Sequence, residues 1–145
     1  AAWCADVIQL GHIKIPRCVR DGLHGALKDA ELHVFVDASL KAYGACAYLR
    51  AFDEGGNSAT SLIVAKSRVA PIKTLTLPKL ELISAVVGAR LLKYICSSWD
   101  FKHFNCVMWT DSMIALSWIG GNYSKLSQFI KHRVFEIRPN TEKAL

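Results

Sequence analysis

The sequence contains no CxxC pair, and its five cysteines, Cys4, Cys18, Cys46, Cys96 and Cys106, are odd in number and scattered. That spacing argues against a zinc site and against a full disulfide framework. The thiols read as reduced and mostly buried, in an intracellular protein that is not secreted. The opening AAWCADVIQL lacks the basic n-region of a secretory signal. No long unbroken hydrophobic run occurs either: the oiliest stretch, 80–95, is interrupted by Glu81, Ser84, Gly88, Arg90 and Lys93, which is too polar to span a bilayer. Internal repeats and low-complexity segments are absent. Acidic residues are missing from the whole stretch between Glu54 and Glu81. There is no starting Met, and the chain stops abruptly at EKAL, so it reads as an excerpt of a longer polypeptide.

What is present supports a packed domain. Of the 145 residues, 52% are hydrophobic, enough for a sizeable core in a single domain. The net charge of +6 and pI near 9.2 favour a polyanionic partner. Residues 1–30 read as a connector packed on the main domain. They are punctuated by Pro16 and Gly22 and made basic by Lys14, Arg17 and Arg20.

Alternation marks Leu32–Asp37 as a strand, with Leu32, Val34 and Val36 on one face and His33, Phe35 and Asp37 on the other. Both faces are largely apolar, which predicts a central strand. Tyr43–Phe52 and Ala59–Lys66 form a hairpin around DEGGN. Thr76 caps, and Pro78 begins, a helix reaching Ile95. Cys106–Thr110 is a fourth strand and Ser112–Ile119 a short helix, stopped by Gly120-Gly121. A last helix, capped by Ser124 or Ser127, reaches Ile137 before Pro139.

Three carboxylates stand out in this order: Asp37 in HVFVDAS, Glu81 in TLPKLEL and Asp111 in CVMWTDS. Strand one runs up, two down and three up, and the long helix must then descend before strand four rises again. Strand four can therefore pair parallel to strand one through a helical crossover. Asp37 and Asp111 then end neighbouring strands at the edge where ligand sites form. Glu81, about one turn into the helix, lies at the same edge. Three carboxylates placed together repel one another, and divalent cations relieve that repulsion. Hard oxygen donors suit Mg²⁺ or Mn²⁺, and two such ions about 3.5–4 Å apart can drive phosphodiester hydrolysis. Taken singly, each acid also has a plain structural use: Asp37 in a turn, Glu81 on a solvated helix face, Asp111 as an N-cap.

The segments IPRCV (15–19), LHVFVDASLKAYGACAYLR (32–50), KSRVAPIKTLTLPKLELISAVVGARL (66–91), CVMWTDSMIALSWI (106–119) and FIKHRVFEI (129–137) together resemble the RNase H-like domain of BEL/Pao-type retrotransposon polyproteins. The resemblance implies an α/β fold with a mixed sheet, strands 1–3 antiparallel and strand 4 parallel to strand 1, with packed helices. The domain would span 31–145 and be truncated at its C-terminal end. It also implies a metal-dependent endonuclease that cleaves the RNA strand of RNA–DNA hybrids, beside a reverse transcriptase domain in an intracellular retroelement particle. Asp37, Glu81 and Asp111 match the family's first three metal-binding carboxylates, which use Mg²⁺ or Mn²⁺. The fourth, an Asp in a further strand and helix, has no counterpart here, and Glu136 and Glu142 stand in the wrong context to replace it. A non-catalytic nucleic-acid-binding remnant is the alternative. The same region is also described as a Pao retrotransposon peptidase. The residues give that little support: aspartic peptidases need Asp-Thr/Ser-Gly, and the candidates read Asp37-Ala38-Ser39 and Asp111-Ser112-Met113.

Candidate contacts to the nucleic acid follow. Lys66, Arg68, Lys73 and Lys79 form a cationic run leading to Glu81, suited to phosphates. Ser39 and Ser112 flank the acids and could touch substrate or support the metal ligands from behind, while a simple turn cap is the more ordinary use of each. Lys125, Lys131, His132, Arg133, Arg138 and Lys143 make the end of the chain basic. Trp109 and Trp118 are expected in the core. His103 and His132 read as structural, and His33 carries no assigned role.

Overall fold

Three long antiparallel strands come first: β1 (Leu27–Ala38), β2 (Ala42–Asp53) and β3 (Ser58–Val69). The helix α1 (Leu77–Ser98), the strand β4 (Asn105–Trp109) and the helices α2 (Met113–Gly120) and α3 (Gln128–Thr141) follow. The computed structural model describes residues 7–14, 18, 27–98 and 105–141. A short 3-10 helix, Val7–His12, precedes the sheet and has no buried residue. Pro16, Arg17, Arg20, Gly22, His103, Glu142 and Lys143 lie outside the described residues.

The sheet order is β3-β2-β1-β4, with β4 parallel to β1 and the other pairings antiparallel. This is the mixed α/β arrangement expected of an RNase H-like fold, and β1 is a central strand. It begins at Leu27, earlier than alternation from Leu32 indicated, because Asp29 and Ala30 continue the out-and-in pattern and pair with Phe52 and Ala51. The β2–β3 turn is closed by buried Asp53. Its Oδ1 accepts the Asn57 amide at 2.8 Å and its Oδ2 the Asn57 side-chain amide at 3.0 Å. Gly56 supplies the positive φ of 81° that the turn requires.

One face of the sheet is covered. Ala30, Leu32, Val34 and Val36 of β1 and Ala45, Ala47, Leu49 and Ala51 of β2 are buried with Leu82, Ala85, Val86 and Ala89 of α1. The Thr76 carbonyl accepts from the Lys79 and Leu80 amides, the expected position for the start of α1. Gly88 brings the helix close: a Cβ there would collide with Val36 Cγ1 and stand 3.2 Å from Met108 Sδ. We expect Gly88→Ala to destabilise the fold by about 1–2 kcal/mol, the overpacking penalty outweighing the gain in helix propensity. A lower denaturant midpoint at unchanged slope would show it, whereas a raised midpoint would mean that the helix stands off the sheet.

Helix α3 packs along α1. Arg90 and Glu136 form a two-point pair across that seam, Nε to Oε1 at 2.5 Å and Nη2 to Oε2 at 3.0 Å. The guanidinium holds the Glu136 carboxyl below its ordinary range, so this acid is committed away from the strand ends. The helix runs on through Pro139 to Thr141 rather than stopping at Ile137. A proline two residues from a helix end removes only one late hydrogen bond. Buried Thr141 secures the last turn through Oγ1, which donates to the Ile137 carbonyl at 2.9 Å.

Candidate active site

The parallel register sets the site. Phe35 pairs with Trp109 at the end of the β1–β4 ladder. Two residues further along each chain stand Asp37, still within β1, and Asp111, just beyond β4. Neighbouring strands lie about 4.8 Å apart, so the two backbones deliver their carboxylates to adjacent strand ends. Both residues are exposed. Asp37 Oδ1 accepts the Ala38 amide at 2.7 Å. Asp111 does not cap α2, because Ser112 takes that position: its φ is −79°, its ψ is 98°, and its Oγ accepts from the Ala115 amide. The Asp111 carboxylate is left without a partner among the described residues.

Glu81 reaches the same edge from α1. Its carboxylate accepts a hydrogen bond from the Ser112 hydroxyl, and its carbonyl accepts one from Ser84 Oγ at 2.7 Å. Ser112 is only 6% exposed. The residue after Asp111 therefore ties the strand end to the helix that carries Glu81. Asp37 shares the parity of Phe35 and so approaches from the uncovered face of the sheet, whereas Glu81 arrives from the covered one.

These donors fit a divalent cation in type and in their common edge. Their side chains are not closed into a ligand set: among the described residues no three His, Cys, Asp or Glu groups converge closely enough to hold a metal ion.

The cationic run divides in space. Lys66 and Arg68 line a groove of about 390 Å³ between β3 and α1, together with Tyr43, Arg90 and Tyr94. Lys73 is exposed in the loop after β3. The Lys79 ammonium lies 5.3 Å from the Phe129 ring centroid, and the Arg133 guanidinium lies over the same ring at 3.5 Å. Arg90 was not picked out in sequence, and Arg133 was named only as part of the basic end, without its partner ring Phe129 or its place beside Lys79, because the groove and the α1–α3 seam join residues far apart in the chain. Ser39 closes the β1–β2 turn, accepting the Lys41 and Ala42 amides at 3.2 and 3.1 Å and donating to the Ala42 carbonyl at 3.2 Å. Its hydroxyl is taken up by the turn.

Trp109 is not a core residue. It is 49% exposed on the uncovered face, beside Phe35 at 44%. Their rings stack with centroids 6.2 Å apart and planes at 12°. Trp109 Nε1 donates to His33 Nδ1 at 3.1 Å, so His33 has a structural partner that its place in the strand did not disclose. Trp118, by contrast, packs against the core as expected. The signal for Trp109 was its parity with Asp111, which puts it on the Phe35 side of the sheet.

Residues 1–112 match the profile of the Pao retrotransposon-like RNaseH-like domain. The chain belongs to this family. The match takes in the N-terminal segment ahead of β1 and ends just past Asp111, so the Pao retrotransposon-like domain contains all three acids. No curated protein sequence matches the chain. Among solved structures, RNase H1 from the halophilic archaeon Halobacterium salinarum NRC-1 is similar over 79% of each chain, at 10% identity and a TM-score of 0.43. That likeness is too loose to bear on residue roles. No described helix is long and apolar enough to cross a membrane.

Proposed function

We propose that this Pao retrotransposon-like domain is a metal-dependent endonuclease that cleaves the RNA strand of RNA–DNA hybrids, as part of a reverse transcriptase polyprotein. The observation that carries the reading is the β1–β4 register, which brings Asp37 and Asp111 to adjacent strand ends, with Glu81 held at the same edge by its bond to Ser112. Asp37, Glu81 and Asp111 would hold Mg²⁺ or Mn²⁺, which supplies a Lewis acid and an activated water for phosphodiester hydrolysis. The cation would also offset the mutual repulsion of the three carboxylates. Lys66 and Arg68 in the α1–β3 groove, with Lys73 and Lys79 along the path to Glu81, would hold phosphates and position the hybrid without reading its sequence.

A non-catalytic, nucleic-acid-binding role is the second reading. The specific observation in its favour is that the acids are not gathered into a three-ligand cluster. One experiment separates the two. The chain is incubated with a hybrid labelled on its RNA strand, with Mg²⁺, with Mn²⁺ and with neither, beside single-stranded RNA and duplex DNA. Calorimetry follows Mn²⁺ binding in parallel. Ion-dependent cutting confined to the RNA of the hybrid is the expected result. Hybrid binding without cutting supports the second reading. Failure to bind either hybrid or ion overturns both.

A further inference from the structure

Ser112 stands next to an acid at the strand end, where a hydroxyl could face a nucleic-acid phosphate. The structure turns it the other way. It is 6% exposed, and its single oxygen is used twice inside the protein. As acceptor it takes the Ala115 amide at 3.1 Å and starts α2. As donor it gives its proton to the Glu81 carboxylate. The Ser112 amide is itself held by Thr110 Oγ1 at 3.2 Å, so the backbone from Thr110 through Asp111 to Ser112 is fixed on both sides of the acid.

We infer that Ser112 is a positioning residue that sets the distance and orientation of Glu81 relative to Asp111, and not a contact to nucleic acid. The physical case is one of connectivity. Glu81 rides on α1 and Asp111 on the end of β4, two elements joined in sequence by 99–104 and in space at this edge by the Ser112 hydroxyl. A carboxylate offers about four lone-pair sites, so Glu81 can accept from Ser112 and still present oxygens to a cation. A hydroxyl of fixed direction selects which oxygens those are. Hydrogen-bond partners that orient a metal ligand typically change metal affinity or activity by about 10- to 100-fold when removed.

This role rests on the nuclease reading, and its test separates the two. Three variants of the whole chain are compared with the wild type. Ser112→Gly removes the hydroxyl at little cost to the helix cap, and Ser112→Ala removes the hydroxyl and the cap together. Ser112→Thr keeps both functions. Calorimetric Mn²⁺ affinity, thermal midpoint, and KM and kcat on the hybrid are measured for each. We expect Mn²⁺ affinity to fall about 10-fold or more in the Gly and Ala variants and to stay near wild type in the Thr variant. The loss in turnover should appear in kcat, with KM for the hybrid unchanged. A rise in KM at unchanged Mn²⁺ affinity would make Ser112 a phosphate contact and overturn the inference. A lower thermal midpoint with unchanged Mn²⁺ affinity would reduce it to a helix cap and overturn it equally. A wild type that binds no Mn²⁺ sinks the nuclease reading itself, whereas a wild type that binds, beside variants that bind as well, sinks only the role of Ser112.

Discussion

Asp37→Asn is expected to lower hybrid cleavage by at least about 100-fold, the scale on which one electrostatic group in a reaction centre acts, and to leave the fold intact. The structure explains why the two effects part. Asp37 is exposed at the end of β1, and its carboxylate accepts the Ala38 amide at 2.7 Å. Asparagine keeps an oxygen that can accept the same bond, so the local turn survives. What it loses is the charge, and with it the strongest donor to a divalent cation. Asp111→Asn should behave alike, because Ser112 and not Asp111 caps α2. The check is a paired measurement of initial cleavage rate and thermal midpoint. A variant that melts like the wild type and cleaves like it would remove Asp37 from the site.

Leu32→Ala is expected to destabilise the domain by about 3 kcal/mol, within the usual span for a leucine deleted from a packed core. Leu32 is fully buried on the covered face of β1, pairs with Leu49 of β2 and Cys106 of β4, and belongs to the same cluster as Leu82 and Ile137. Each neighbour sits on a different element, so the void cannot be closed by moving one side chain. Against a typical domain stability of about 5–15 kcal/mol, the loss is a large fraction, and urea unfolding would read it directly. Phe35→Ala, three residues further along the same strand, makes the contrast. Phe35 is larger but 44% exposed, and a cost below that of Leu32→Ala would confirm which face of β1 carries the stability.

The strands, their order and the crossover were legible because they rest on local patterns. Alternation in 32–37, the Gly-rich turn after Asp53, and Pro78 early in a 3.6-residue pattern each specify an element from neighbouring residues. The parallel pairing of β4 with β1 followed from counting strand directions. The ends of elements were less legible: β1 began earlier and α3 ended later than local signals indicated. Pairing with β2 extends the first, and buried Thr141 secures the second.

Which acids stand at the strand ends follows from the residues alone. Asp37 and Asp111 terminate apolar runs, and chain direction alone sends both runs to the same edge. Where the side chains around them face depends on how the elements pack. An alternating strand states that it has two faces, not which one a helix will cover. Trp109 therefore read as core, yet it lies stacked on Phe35 in the open. Ser112 read as a turn cap, a substrate contact or a support for the metal ligands; it does cap α2, and it is buried against Glu81, thirty-one positions away in the chain. Such contacts depend on the approach of α1 to the sheet, which Gly88 permits by presenting no side chain to Val36. The small residues Ser84, Ala85 and Gly88 on one face of α1 signal that close approach in the sequence, but which hydroxyl it brings against Glu81 has no signature in any local pattern.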